Sequence, residues 1–336
     1  MRLRLLICGD KLVPHGLRML LPSILIACMR VVATPTAGWC DDVLKVAVGA
    51  PNNWDSGLPD VGQRAGIFGK HGLRLEILYT NGGGETMQAI ISGSADIGIA
   101  AGTAGVFGAF AKGAPVRILL AGTTGAGDLY WYVPAESPLK SFADLDGKTV
   151  GYSTNGASTH TTLLALIKHF RVAAKPVSTG AAAVTMIQAM SRQVDVGWAS
   201  PPFGLDALDE GKIRLIARGS DAPSTRDQTV RVHIVNTDAL AKRHDVINRF
   251  VVAYRETYQW LYSDPAGAKT YSAYANVPER LAIRIRDEFM PKAAMSPDRL
   301  SGIASVTTDA VEFKFMQAPL TDAQLAELIQ IPAPGK

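Results

Sequence analysis

The residues best suited to chemistry in this chain are small and polar, and they stand where helices are expected to start. In "YTNGGGETMQAIISG", Gly82, Gly83 and Gly84 let the backbone turn sharply into a helix without Cβ clashes. Gly102 with Thr103 repeats the arrangement after "ADIGIAA", Thr103 being a good N-cap. Gly156, Ser158 and Thr159 form a matching junction further on. Ser200, followed by Pro201 and Pro202, forms another, because proline suits the first helical turn. A helix start offers free N–H groups and roughly half a positive charge, so the chemistry these loops support is the binding of an anionic group. Arg231 is suited either to clamping a carboxylate bidentately or to a plain surface ion pair. Trp54, Trp131 and Trp198 fall near predicted strand ends, where an indole can stack on a flat ligand; core packing is the favoured role for the last two.

Other chemistry is excluded by spacing. His160 and His169 lie nine apart on a predicted helix, hence on opposed faces, and His71, His233 and His244 are scattered. No metal site is read from them, and helix-end or surface roles are expected for each. Asp144 with Asp146 belongs to a turn, and Asp206 with Asp209 and Glu210 to a solvated helix face, so neither set is read as an acid/base pair. "GGGE" lacks the GK[ST] of a P-loop, and no GxGxxG opens a helix after a strand. Cys8 and Cys28 fall in the leader and Cys40 stands alone after it, which leaves no disulfide framework, no CxxC and no thiol nucleophile inside the fold. No catalytic residue and no cofactor are expected.

The elements around the loops must position them. "LKVAVGA" (44–50) reads as a buried strand and "PDVGQRAGIFGKHG" (59–72) as a helix closed by Gly72. "LRLEILY" alternates as a strand, "GETMQAIISG" is a short helix with Met87, Ile90 and Ile91 on one face, and "ADIGIA" is the next strand. "GTAGVFGAFAKG" then gives a helix and "PVRILLAG" a strand. The pattern restarts with the strand "DLYWYVP" (128–134), and "STHTTLLALIKHF" (158–170) is a helix with Leu163, Leu166, Ile167 and Phe170 at helical spacing. Alternating strands and helices with short connections are the grammar of a mainly parallel sheet. Two α/β lobes of similar size follow, with the chain crossing out near 122–130 and back near 217–230.

After 228–236 a run of helices is expected to pack on the first lobe. Leu240, Ile247, Val251, Tyr254, Tyr258 and Leu261 there make one apolar face. "TMQAIISGSADIGIAAGTAGV" (86–106) parallels "TMIQAMSRQVDVGWASPPFGL" (185–205) through the frame T-M-x(2–3)-A, a turn, then D-[IV]-G. The expected organisation is an export leader over 1–38, a first lobe of 41–125 plus 230–336, and a second lobe of 126–229.

Composition fits this plan. Apolar residues make up 47 % and charged ones 19 %, which is ordinary for a globular chain. The formal charge of +4 resides in residues 1–38, where Arg2, Arg4, Lys11, Arg18 and Arg30 face Asp10 alone; the remainder holds 29 basic and 29 acidic residues. No basic stripe is left to track phosphates, so nucleic acid is not an expected partner. "MLLPSILIA" (19–27) has signal-peptide length, and "ATPTAG" offers small residues for cleavage near 37 or 38. "LIAC" resembles a bacterial lipobox and gives the alternative of a lipid anchor at Cys28.

"LKVAVG", "AGIFGKHGLRLEI", "GGGETMQAIISGSADIGIA" and "KGAPVRILLA" together resemble the periplasmic binding proteins of ABC importers in the nitrate/sulfonate/taurine group, broadly the NMT1/SsuA-like superfamily. "SFADLDGKTVGYSTNGASTHTTLLALI" is similar to that group's L-x-D-L-x-G-K-x-[VI]-[GA] turn and its G-x-S-T helix start, and the resemblance runs over about residues 44–262. It implies an α/β, two-lobed type II venus-flytrap with two interlobe crossovers, no enzyme activity, and a ligand held between the lobes. It also implies ligand contacts from Asn52, Asn53 and Trp54, from Gly102 and Thr103, from Thr123 and Thr124, from Ser158 and Thr159, and from the loop near Ser200. Asp55 departs from the pattern, because a carboxylate is out of place beside a strong anion such as sulfonate or nitrate.

The implied partners are a small-molecule solute and the membrane permease and ATPase subunits of an importer, with the receptor itself a monomer in the periplasm. An enzyme on the same scaffold is the alternative. A thiamine-pyrimidine synthase relies on a cysteine-rich stretch that is absent, and a desulfinase needs a cleft cysteine, whereas Cys40 precedes the first strand.

Overall fold

The computed structural model describes residues 41–334 and starts with a short alternation of strands and helices. The leader over 1–38 and Cys8, Cys28 and Cys40 lie outside the described residues. The first lobe opens with β1 (Asp42–Val48), β2 (Leu73–Tyr79), β3 (Ile97–Gly102) and β4 (Val116–Ala121). The second carries β5 (Tyr130–Pro134), β6 (Thr149–Tyr152), β7 (Lys175–Ser178), β8 (Gly197–Ala199) and β9 (Ile213–Arg218), after which the chain returns as β10 (Arg231–Asn236).

Helices fill the connections. They are α1 (Leu58–Arg64), α2 (Ile67–Lys70), α3 (Gly83–Ile91) and α4 (Thr103–Ala111), then α5 (Ser158–Phe170), α6 (Ala182–Met190) and α7 (Leu205–Asp209). The C-terminal set is α8 (Thr237–Lys242), α9 (His244–Ser263), α10 (Pro265–Ala275), α11 (Glu279–Arg284), α12 (Ile303–Glu312) and α13 (Asp322–Leu328).

The first sheet runs β2-β1-β3-β10-β4, with β1 parallel to β2 and β3, and β10 antiparallel to β3 and β4. The second lobe repeats this order. Strand β7 is parallel to β6, a parallel bridge from Val150 to Val196 joins β6 to the start of β8, and β8-β5-β9 are antiparallel. The two strands that carry the chain between lobes, β5 and β10, thus hold equivalent places and run against their neighbours.

The sequence echo between the halves is built into matching contacts. Thr80 and Thr86 share a hydroxyl hydrogen bond of 2.9 Å at the start of α3, and Thr179 and Thr185 share one of 2.7 Å at the start of α6. Asp96 accepts the Lys45 N–H at 3.0 Å, and Asp195 accepts the Thr149 N–H at 2.8 Å, each locking a helix-to-strand turn onto the neighbouring strand. Gly93 and Arg192 occupy the same left-handed turn position, at φ 72° and 62°.

Local chemistry explains where the elements depart from expectation. The helix read over 59–72 is two, because Gly66 breaks it at φ 74° and Gly72, also left-handed, only turns the chain into β2. The expected long helical face is interrupted after Leu240, which belongs to α8. The rest of it, including Ile247, Val251, Tyr254, Tyr258 and Leu261, is buried on α9 against α1 and α2. Gly62 in α1 permits that approach, since a Cβ there would overlap the Thr257 side chain. Pro201 and Pro202 sit in a turn, and the following helix begins only at Leu205. His233 is not at a surface or helix end. It is buried in β10, its Nδ1 accepting the Ala100 N–H at 3.1 Å and its Nε2 lying 2.7 Å from the Tyr254 hydroxyl, and burial pushes its pKa down to about 4.

The crossovers form a two-stranded hinge. Thr124 bridges antiparallel to Thr229, Val230 donates its N–H to the Thr123 carbonyl at 2.9 Å, and Gly125 donates to the Gln228 carbonyl at 2.7 Å. The segment after α11 straps across this ribbon. The Ala294 carbonyl accepts the Thr124 N–H at 2.7 Å and the Ser301 carbonyl accepts the Thr229 N–H at 3.0 Å.

Candidate functional site

Two helix starts, one from each lobe, open onto the same small cavity. Its wall includes Gly82 and Gly83 at the head of α3 and Ala157, Ser158 and Thr159 at the head of α5, and neither helix has a side-chain cap. The N–H groups of Gly83, Ser158 and Thr159 at these two helix starts are the ones left to a ligand, with both dipoles converging on the cavity. Its volume is about 40 Å³, room for roughly three waters. Gly49, Asn53, Asp55, Ser56, Trp198, Ser200 and Arg231 complete most of the rest of the wall.

Glycines bring the lobes this close. A Cβ on Gly84 would overlap the Asn155 carbonyl oxygen, and one on Gly102 or Gly105 would overlap the carbonyl oxygen of Gly156. Gly84 also donates its N–H across the cleft to Thr154 Oγ1 at 3.0 Å. The glycine-rich corner thus serves both as cavity wall and as interlobe contact surface.

Behind the wall lies a buried ionic cluster. Arg231, the first residue of β10, donates from Nη1 to Asp55 Oδ2 and from Nη2 to Asp128 Oδ2, both at 2.8 Å, and from Nε to Ser158 Oγ at 3.0 Å. Thr123 donates its hydroxyl to Asp55 Oδ2 at 3.1 Å. Asn53 Nδ2 donates to Ser200 Oγ at 2.9 Å, and Ser200 in turn donates to Asp128 Oδ2 at 2.9 Å. The cluster joins the loop after β1, the two crossovers, the head of α5 and the loop after β8.

Its charges are perturbed in opposite directions. Burial works to raise the Asp55 carboxyl, but Arg231, with hydrogen bonds from Ser56 and Thr123, holds it below the usual carboxylate range. Asp128 is raised, chiefly by burial and then by the neighbouring Asp55, against the pull of Arg231. Burial alone would lower the Arg231 guanidinium; Asp128 and Asp55 more than offset it and keep the cation charged. Arg231 is therefore neither a free clamp nor a surface pair, because its carboxylate partners are the chain's own.

Of the residues singled out in the sequence, Asn53, Asp55, Gly82, Gly83, Ser158, Thr159, Trp198, Ser200 and Arg231 come together at the cavity. The others are used elsewhere. Asn52 donates its N–H to the Tyr274 hydroxyl at 3.0 Å, and Trp54 is fully buried, its indole N–H donated to the Tyr262 hydroxyl at 2.9 Å. Thr103 is the first residue of α4 rather than its cap; its hydroxyl donates to the Thr229 carbonyl at 2.6 Å. Thr123 holds Asp55, and Thr124 pairs with Thr229 in the hinge. Gly102 and Gly156 face each other across the lobe contact. Trp131 is core, donating its N–H to the Gly151 carbonyl at 2.9 Å, whereas Trp198 lines the cavity while its N–H is tied back to Thr179 Oγ1 at 3.2 Å.

Asp128 was not legible as part of the site. Its signal is weak: a lone acidic residue in "GAGDLYW" just ahead of a fully apolar strand. The acidic sets at 144–146 and 206–210 have structural partners, Asp144 accepting the Ser141 N–H at 2.8 Å and Asp209 pairing with Arg284 at 3.0 Å. Among the described residues, no cluster of three or more His, Cys, Asp or Glu side chains has a metal-holding arrangement, and no helix is long and apolar enough to cross a membrane.

Two lobes of one topology, joined by a paired hinge around a shared cavity, define the periplasmic-binding-protein fold. The chain belongs to the NMT1/THI5-like family, whose profile matches residues 61–268, more than half of its length. Among solved structures it is similar to the alkanesulfonate-binding protein SsuA from Xanthomonas axonopodis pv. citri bound to MOPS, at a TM-score of 0.70 and 18 % identity over 86 % of this chain and 98 % of that one. The periplasmic aliphatic sulphonate binding protein SsuA from Escherichia coli aligns at 0.66 and 17 % identity, over 87 % and 92 %. The periplasmic nitrate-binding protein NrtA from Synechocystis PCC 6803 aligns at 0.64 and 13 % identity, over 86 % and 85 %. No curated protein matches the sequence. At these identities the likeness is one of fold.

Proposed function

We propose that this protein is an extracytoplasmic solute-binding receptor of an ABC-type importer, which holds a small organic anion or zwitterion between its lobes and delivers it to a membrane permease served by an ATPase. The observation that carries this reading is the convergence of two uncapped helix starts, from α3 and α5, on one cavity at the lobe interface. Neither lobe alone encloses a ligand there; both are needed, which makes occupancy a natural signal of closure. The lobes divide at 125/126 and 229/230, within the paired hinge. Export by the leader places the receptor in the periplasm as a monomer, with Cys28 as the alternative lipid anchor. The ligand contacts are Asn53, Ser158, Thr159, Ser200 and the heads of α3 and α5.

A thermal-shift screen of the purified mature protein against sulfonates, carboxylates, pyrimidines and amino-acid derivatives tests the reading. A solute at 100 times its Kd adds about 2.7 kcal/mol of stability. Turnover of a substrate without any stabilising solute contradicts a receptor.

A further inference from the structure

A second hollow adjoins the same lobe contact and shares no lining residue with the solute cavity. It is an open groove of about 510 Å³, inside the range of small-molecule sites, roughly 300–1,000 Å³. The first lobe supplies Met87 and Ile91 of α3, with Ala109 and Lys112 at the end of α4. Pro115 and Phe315, the latter from the turn after α12, add further apolar surface.

The second lobe completes the groove through Asn155 and Gly156. Gly156 packs so closely on α4 that a Cβ on Gly105 would stand 2.2 Å from its carbonyl oxygen. Phe315 is fixed by both lobes. Its carbonyl lies against Gly108 of α4, and its ring meets His160 of α5 edge-on with centroids 5.5 Å apart. The groove in this form therefore belongs to the closed arrangement of the lobes.

Charge identifies what fits it. Lys112 is the one charged side chain on the lining; it is exposed and takes part in no ion pair among the described residues. The other polar side chains there, Gln88 and Asn155, are neutral. The last carbonyls of α4 are answered within the chain, Ala109 accepting from Lys112 and Ala114, and Phe110 from Gly113. The ammonium, rather than the helix end, thus sets the local sign. An apolar trough beside one unopposed ammonium complements a molecule with an apolar chain and a single negative end.

We propose that this groove is a second binding site, separate from the solute cavity, for an amphiphilic monoanion whose unbranched chain lies along α3 and α4 and whose head meets Lys112. Because both lobes line it, its occupant favours the closed form. On the receptor reading, which this consequence rests on, the occupant tightens solute binding and the solute tightens its binding by the same factor.

Calorimetric titration of the mature protein tests this, with octanoate, butanoate, octylammonium and neutral octyl glucoside as probes below their micellar concentrations and hydrogen exchange to locate them. Octanoate is expected to bind roughly 10–100-fold more tightly than butanoate, through four more buried methylenes. It should bind at least about fivefold more tightly than octylammonium, and Lys112→Glu, an exposed substitution, should reverse that preference. Protection is expected at amides 108–114. Gly84→Ala, which disfavours closure, should weaken octanoate at least about fivefold.

Equal binding of octyl glucoside, or a headgroup preference that Lys112→Glu leaves unchanged, overturns the anion site and marks the groove as a plain apolar contact surface for another protein. Protection confined to 82–83 and 157–159 puts octanoate in the solute cavity and overturns the second site. Equal affinity in Gly84→Ala overturns the tie to closure. Absence of octanoate binding overturns the proposal as a whole. Each of these results leaves the receptor reading to be decided by the thermal-shift screen.

Discussion

At the residue scale the site is governed by one cation shared between two buried carboxylates. Removing the guanidinium leaves both unpaired, so Arg231→Met is expected to destabilise the fold by about 3–5 kcal/mol in urea unfolding. Asp128→Asn should behave differently. The folded-state pKa of Asp128 is raised, so ionising it opposes folding, and this penalty grows as pH rises above the ordinary carboxylate range. The neutral isostere keeps an acceptor for Arg231 and escapes the penalty. Asp128→Asn is therefore expected to match or exceed the wild type near pH 7, with the difference closing as pH falls towards 4. A variant that is less stable at pH 7 and gains relative stability in acid contradicts the assignment. Sequence reasoning recognised Asp55 as out of place beside an anion and Arg231 as a possible clamp. It could not see that each answers the other, because they stand 176 residues apart in the chain and meet only when β10 joins the first sheet.

At the element scale the decisive features are the heads of α3 and α5. Both were legible, since glycines followed by helical periodicity mark such junctions whatever the tertiary context. What those glycines touch was not legible. Gly84 meets the Asn155 carbonyl of the other lobe, a contact between residues that only the closed arrangement brings together. Gly84→Ala is expected to cost the closed state about 1–3 kcal/mol by steric overlap, which weakens solute binding roughly 5–150-fold. The overlap arises between the lobes and within neither, so the melting temperature without solute should change little, while small-angle scattering should show a larger radius of gyration. Unchanged affinity would mean that the lobes do not meet there when solute is bound. Helix boundaries suffered where side-chain identity competes with backbone geometry: Thr103 has the chemistry of a cap but spends its hydroxyl on the Thr229 carbonyl, and the Ser200-Pro201-Pro202 stretch makes a turn instead of a helix start.

At the scale of the whole molecule, the repeated strand order β2-β1-β3-β10-β4 and β7-β6-β8-β5-β9 was foreshadowed by the weak T-M and D-[IV]-G echo between the halves. That echo survives because Thr86 and Thr185 tie down the matching helix start in each lobe, and Asp96 and Asp195 lock the matching helix-to-strand turn. The antiparallel placement of β5 and β10 was not readable, because periodicity gives a strand's burial but not its direction. The strap formed by Ala294 and Ser301 across the hinge also escaped notice, being made of carbonyl groups that no side-chain pattern announces.

The central claim, that solute is gripped by both lobes at once, is tested most directly by hydrogen exchange of the mature protein with and without the best solute from the screen. Simultaneous protection of the amides at 82–84 and at 157–159 is the predicted result. Protection confined to one lobe, or located at the separate surface cavity beside Glu136, Leu139 and Arg192, would contradict it.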